Sequence, residues 1–494
     1  MTGLIWVMIC VDVILRKQWI ERERLAYPTV QLPLEMTRAD GGFFRSKMMW
    51  LGFIVAGGID LINGVHVLFP DFPEIPVRQA EIGQFFTEKP WNAFGWTPLY
   101  VLPFGLGLAF LMPLEMSFSL WFFYLFWKGE RVLGTALGMT SLPGFPYDGP
   151  QGLGAFLAIT CFALLGGRRY FLAVFKNVFQ PSPDEEKEPM TYRWAVLGLI
   201  GGLIFLLAFS YKGGMALWTA GLYFLVYYLL AMGLTRIRAE VGPPTHEMFV
   251  ANPHYFLTDV VGTRRLPQGS LTMIALYRTF NRGYRAHPMP HTLEGFKVAD
   301  ASNMAPRRVV GVMLLTTVVG IFAAFWAYLT LAYKVGGHNI NISLGSGTYS
   351  NLRNWLYFPT ETNFPAVIFM VVGFLFTGFL WWMRTQFPLW PFHPAGYAIA
   401  SSTWTFGWLW FSVFVSWGIK TTVLKAGGIR LYRKALPFFL GLLWGEYIVG
   451  GPGYLFDSFG ALKFTPFIVE SYIIPAAECK QHRPIHKKRG HEIN

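Results

Sequence analysis

VVGVMLLTTVVGIFAAFWAYLTLAY, residues 309–333, decides the fold. It holds no charged side chain over 25 residues. About 20 apolar residues let a helix cross roughly 30 Å of hydrocarbon. Backbone groups in lipid must pair within their own segment, so a run of this kind is a helix. Barrel strands would alternate polar and apolar side chains, and this run does not. Comparable runs lie at 48–69, 98–126, 194–211, 215–234, 364–383, 399–419 and 435–456, with shorter candidates at 3–15 and 152–167. The fold expected is an all-α, polytopic membrane bundle of about 10–12 segments, several broken or re-entrant.

The composition agrees. The chain has 494 residues, 53% hydrophobic and only 14% charged. Soluble domains carry nearer a quarter charged residues, so there are too few charges here to coat several soluble surfaces. The net charge is +13. The basic residues fall mostly between apolar runs, where topology and anionic headgroups account for them. No nucleic-acid partner is expected. Cys10, Cys161 and Cys479 are far apart and form no disulfide framework or zinc spacing. No cofactor is expected. The run 3–15 lacks the flanks of a signal peptide and is short for a span, so the chain is expected to begin inside a helix of a longer protein.

Loop charge gives an orientation. Loop 235–308 has ten Lys/Arg against five Asp/Glu and is expected to be cytoplasmic. Loop 70–97 has four acids and two bases, loop 334–363 two bases and one acid. Both are expected outside. This divides the chain into a membrane half 1–234, a basic loop 235–308, a membrane half 309–477 and a basic tail 478–494. The parity of crossings then fails unless some runs re-enter. The run 98–126, interrupted by Pro113 and Glu115, and the short run 152–167 are the first candidates. Run 399–419 is another, with a last crossing at 464–477.

An internal repeat is also expected. Leu15 is followed by Arg16, Lys17, Glu21, Glu23, Tyr27-Pro28 and then Glu35-Met36. Leu234 is followed by Arg236, Arg238, Glu240, Pro243-Pro244 and then Glu247-Met248. Duplicated halves with broken helices place a binding site at the repeat interface.

Intramembrane ionisable residues are costly and usually face a cavity or a partner. Asp60, Asn63 and His66 recur at spacing three and so share one helix face. Glu115 and Glu446 lie inside apolar runs, each able to accept a proton or pair with a buried Arg. Glu35, His246 and Glu247 lie in the expected broken segments 27–35 and 242–247, and Glu21 and Glu240 precede them. These ten are the candidate residues for solute or ion coupling. No metal site is expected. His246-Glu247 lacks the second His of a zincin helix, and Pro288 and Pro290 are expected to break any helix joining His287 to His291. The aromatic turn 388–394 is expected to anchor at the membrane interface. There is no phosphate-binding loop and no nucleophile elbow.

Two segments carry a family resemblance. Glu23-Arg24-Leu25-Ala26-Tyr27-Pro28 resembles the short apolar-aromatic-Pro segment of the oligopeptide transporter (OPT) family. Gly242-Pro243-Pro244-Thr245-His246-Glu247-Met248-Phe249 resembles that family's Pro-Pro-Arg-x-Met-Phe motif, with His246 where the Arg would stand. Most of the chain is similar to OPT-like bacterial membrane proteins of unassigned function. They share forms of Gln18–Leu25, of His287–Phe296, of Trp390-Pro391-Phe392-His393-Pro394, of Gly427–Arg433 and of Pro437–Gly441, and they are longer at the N-terminus. The resemblance implies a secondary transporter in the bacterial inner membrane, symporting a small organic solute such as an oligopeptide or metal chelate with an ion. The partners expected are that solute, its coupling ion and the lipid bilayer, with homo-oligomerisation left open. Two other classes stand beside this one. One is a membrane-embedded enzyme on a lipid-linked substrate, with loop 235–308 as its catalytic face. The other is a non-catalytic anchor subunit.

Overall fold

The computed structural model describes residues 1–38, 41–139, 142, 144–180, 188–245, 251–281, 287–336 and 343–458. Candidates His246 and Glu247, the crossing at 464–477 and the tail 478–494 lie outside the described residues.

The chain is an all-α helical bundle. In order it forms α1 (Thr2–Arg16), α2 (Gln31–Met36), α3 (Gly42–Arg45) and α4 (Lys47–Leu68). A small antiparallel pair follows, β1 (Arg78–Glu81) with β2 (Pro98–Tyr100). Then come α5 (Pro103–Leu111), α6 (Leu114–Ala136), α7 (Asp148–Gly166), α8 (Arg168–Phe179), α9 (Tyr192–Lys212) and α10 (Leu217–Val241). The next stretch holds α11 (Pro253–Val260), α12 (Gln268–Leu276) and α13 (Pro288–Ala301). The chain continues through α14 (Pro306–Val335), α15 (Ser343–Tyr357), α16 (Phe364–Gln386), α17 (Pro394–Ala400), α18 (Thr403–Gly407) and α19 (Trp410–Ser458), which changes direction at Gly428.

Among the described residues six helices are long and apolar enough to cross a membrane: α4, α7, α9, α10, α14 and α16. The chain is therefore built to lie in a bilayer. In α14 only 6% of the apolar window is buried. Its Phe322, Trp326 and Tyr333 point outward, which is stable only in a non-aqueous surround.

Central helix α10 packs against the two largest apolar cores among the described residues. Tyr223, Tyr227 and Ala231 recur every four residues and face a core made with α1, α9, α12 and α13. Val226, Leu230, Leu234 and Ile237 face a second core made with α5, α6, α7, α16, α17 and α19. The helix is thus packed on two faces at once, while Leu217, Trp218 and Leu225 stay exposed. Each core draws residues from both sides of position 234, so the two membrane halves of the sequence interleave.

The run 98–126 is split, as its proline suggested. It gives β2, then the nine-residue α5, then α6, with the break at Met112-Pro113. Residues 152–166 of the run 152–167 lie instead within one 19-residue helix, α7. The prolines of 288–291 do not break a helix; they open α13, because a first turn has no amide partner to lose. The described residues of 235–308 form packed helices rather than a bare loop. Gly269 meets Gly214 at the start of α10, while Glu294 binds Arg238 near the other end of that 25-residue helix.

Candidate functional site

The breaks in the helices determine what the cavity can hold. At its C-terminal end α1 widens into a π-helical stretch, Lys17–Arg22, and Tyr27 then takes a left-handed backbone at φ 44°. At the end of α10, Gly242 does the same at φ 55°. A side chain there would be strained, and a Cβ would also stand 3.0 Å from Pro28. The two breaks touch, with Tyr27 N donating to Ala239 O at 2.9 Å. The segments read as a repeat therefore lie against each other.

Beside them is a cavity of about 340 Å³. Its lining includes Gln18, Glu23, Arg236, Glu240, Arg384 and His393. Glu240 is the hub. Its Oε2 accepts from Arg236 Nε at 3.1 Å and its Oε1 from Arg384 Nη1 at 3.1 Å. His393 Nε2 lies 3.4 Å from the same Oε1. His393 Nδ1 accepts from Ala395 N at 3.1 Å, which assigns the ring proton to Nε2. Arg384 Nη2 donates to Glu115 Oε1 at 2.5 Å, and Arg236 Nη1 donates to Glu23. Glu23 also accepts from Gln18 Nε2 at 2.7 Å. Every carboxylate here has an arginine.

On the far side of α10, Arg238 Nε donates to Glu294 Oε1 at 2.6 Å. Thr29 and His291 complete that cluster. Burial pushes the Glu294 carboxyl up, but His291, Arg238 and Thr29 outweigh it and hold it at about 2. The neighbouring His287 is pushed down to about 3 by burial.

A second carboxyl site is built differently. Glu446 on α19 is fully buried. Its Oε2 accepts from Phe104 N at 2.6 Å, at the start of α5, and its Oε1 has no partner among the described residues. Asp60 on α4 lies within its electrostatic reach and also leaves one oxygen without a partner. Neither forms an ion pair among the described residues. At the other end of α5, Lys420 Nζ donates to Phe110 O at 2.9 Å and to Met112 O at 2.5 Å. The free ends of this buried half-helix, which water would otherwise satisfy, are thus held by one acid and one base. Two residues past the break, Glu115 meets Arg384, so α5 is the link from Glu446 to the cavity.

The other candidates sit elsewhere. Asn63 holds the Ile75 backbone from both sides, at 3.1 and 2.8 Å. His66 Nδ1 lies 2.5 Å from Phe72 O. Both tie down the loop after α4. Glu21 pairs with Arg16 at 3.0 Å, and Glu35 pairs with Arg38 at 2.8 Å on the surface. Among the described residues no group of His, Cys, Asp and Glu could hold a metal ion.

Four residues were missed. Arg384 lies one residue beyond a run read as a span. His393 was absorbed into an interfacial turn; it is buried, beside Phe392, whose ring packs 4.8 Å from Phe122. Glu294 sits in the loop with no local signal. Asp12 is buried in α1, accepting from Thr292 with its other oxygen unpartnered among the described residues. An acid inside run 3–15 was signal enough to find it.

A second cavity of about 290 Å³ is lined by Asp148, Tyr255 and Asp259. It touches the N-terminal parts of α7 and α16, while the first touches their C-terminal parts. Between them the two helices pack backbone to backbone. A Cβ at Gly154 would overlap Met370 O, and one at Gly373 would overlap Gln151 O.

No curated protein and no solved structure matches the chain. A family model does, over residues 1–467, and its description is a family of unknown function, DUF6785. That match spans nearly the whole sequence, both broken segments and both carboxyl sites included, and the chain belongs to this DUF6785 family.

Proposed function

We propose that the chain is a secondary transporter of the bacterial inner membrane that couples uptake of a small organic solute to an ion. The observation that carries this is the pair Asp60 and Glu446. They are neighbouring carboxyls in the bundle, without a basic partner among the described residues. Acids so placed are the usual acceptors of a coupling proton or cation. The Glu446 carboxylate holds the start of α5, and the chain beyond α5 reaches Arg384 in the cavity. Protonation at one site therefore has a covalent route to the other. The two cavities at opposite ends of the α7–α16 seam, and the broken helices that meet beside the first, fit access from alternate sides. The likeness of the broken segments to OPT motifs supports the same reading, with an oligopeptide or metal chelate as the solute it implies.

The test is solute uptake into proteoliposomes with and without an imposed proton gradient. Gradient-dependent accumulation that Glu446→Gln or Asp60→Asn abolishes is the expected result. Accumulation that survives both substitutions would overturn the assigned coupling pair. No accumulation by folded, oriented protein would overturn transport itself.

A further inference from the structure

We propose that the Glu240 cavity binds a small solute through a carboxylate, which takes the place of Glu115 on Arg384. This rests on the cavity being the solute site, and it adds the chemical class.

Three observations carry it. The first is the state of the charges. Glu240 already receives Arg236, Arg384 and His393, which leaves it little capacity for a cationic ligand. Arg384 has the opposite character. Its fork is pinned on one side by Glu240, and on the other by Glu115. Glu115 and Arg384 are each 34% exposed. A pair only partly covered by protein is held less firmly than an enclosed one, so a competing carboxylate can replace Glu115, and the guanidinium fork suits a planar two-oxygen ligand.

The second is an unused donor. The Thr377 hydroxyl lines the cavity, is fully buried, and has no partner among the described residues. Buried hydroxyls are rarely left unpaired without reason. Thr377, Trp381 and Arg384 sit at spacings of four and three, so one face of α16 presents a hydroxyl, an aromatic wall and a cation. The Gln18 Oε1, also buried, lines the cavity and is free to accept.

The third is size. About 340 Å³ lies at the small end of ligand cavities, and Phe162 stacks on Trp381 at 5.1 Å to form an apolar wall. A short organic acid fits; a long chain does not.

Binding is measured on the purified full chain in detergent, by thermal shift and Trp fluorescence, with no gradient present. The probes are succinate and glutarate, their diamides at equal concentration, and inorganic phosphate. The acids should stabilise the protein saturably and the diamides should not. Glu115→Gln removes the internal competitor and should tighten the acids about two- to fivefold, the reverse of what loss of a contact residue does. Arg384→Lys keeps the charge, loses the fork, and should weaken them. Diamides that bind as well as acids, phosphate that outperforms both acids, or Glu115→Gln that leaves affinity unchanged or lowers it would each overturn the proposal. Acid binding without gradient-driven uptake would sink the transport reading and leave this site standing. Gradient-driven uptake with no acid binding would do the reverse.

Discussion

The cavity at Glu240 and the site at Glu446 hold their acids by opposite means. Around Glu240 each carboxylate is matched by an arginine, and a histidine is added. Around Glu446 there is a second acid, a backbone amide and no ion pair among the described residues. A bilayer interior tolerates an ionised group only with a partner. The first site meets that demand with paired charges of its own. The second can meet it only by holding a proton or a cation. One arrangement stores structure and the other stores a variable.

That contrast is open to direct attack, and the largest effect belongs to the paired site. Glu240→Gln strips two half-buried arginines of their shared charged acceptor, and losing such charge-assisted hydrogen bonds costs about 1.5–3 kcal/mol. Unfolding in detergent should show a loss of that order. If the variant is as stable as the parent, the pairing is not what holds the broken helices together. Next comes Glu294→Gln, which removes the acceptor of Arg238. The Glu294 carboxyl is held at about 2, below its ordinary 4.5. Its contribution is therefore complete above the ordinary carboxyl range and disappears as pH falls toward about 2. A deficit on the order of 2 kcal/mol at neutral pH should shrink steadily below pH 4.5. A deficit that grows on acidification would reverse the sign argued here. Glu446→Gln should cost less than about 1 kcal/mol, because the amide oxygen still accepts from Phe104 N. The same variant should lose all gradient-driven uptake. A large stability loss there would make the second site structural, like the first. Glu35→Ala, at an exposed pair, should fall within about 0.5 kcal/mol and set the baseline.

Much of the fold was legible because apolar length is a local property. The runs at 48–69, 194–211, 215–234, 309–333 and 364–383 needed only composition to be found, and all became helices. The broken run at 98–126 was legible too, since Pro113 removes a backbone donor wherever it stands. The acids Asp60, Glu115 and Glu446 stood out against their apolar neighbours. Their fates did not. Glu115 and Glu446 looked alike in sequence, and only one gained an arginine, 269 residues away. Pairing at such separations leaves no local trace. The same holds for His393, which sits 153 residues from Glu240. The packing of α11, α12 and α13 was hidden by the basic residues of 235–308, which made this stretch look like a surface loop.

The half-helix α5 has a consequence for how the chain is made. Its first amides and last carbonyls are satisfied by Ser412, Lys420 and Glu446, the last of these 342 residues downstream of Phe104. Synthesis runs at roughly 5–20 residues per second. On the order of 20–70 seconds thus separates the emergence of α5 from that of Glu446. For that interval a nine-residue segment with open polar ends waits for its partners, in reach of whatever machinery inserts the chain. A later-made element, α19, is therefore the one that completes the earlier α5, and a ribosome that stops short of residue 446 leaves α5 without its acid.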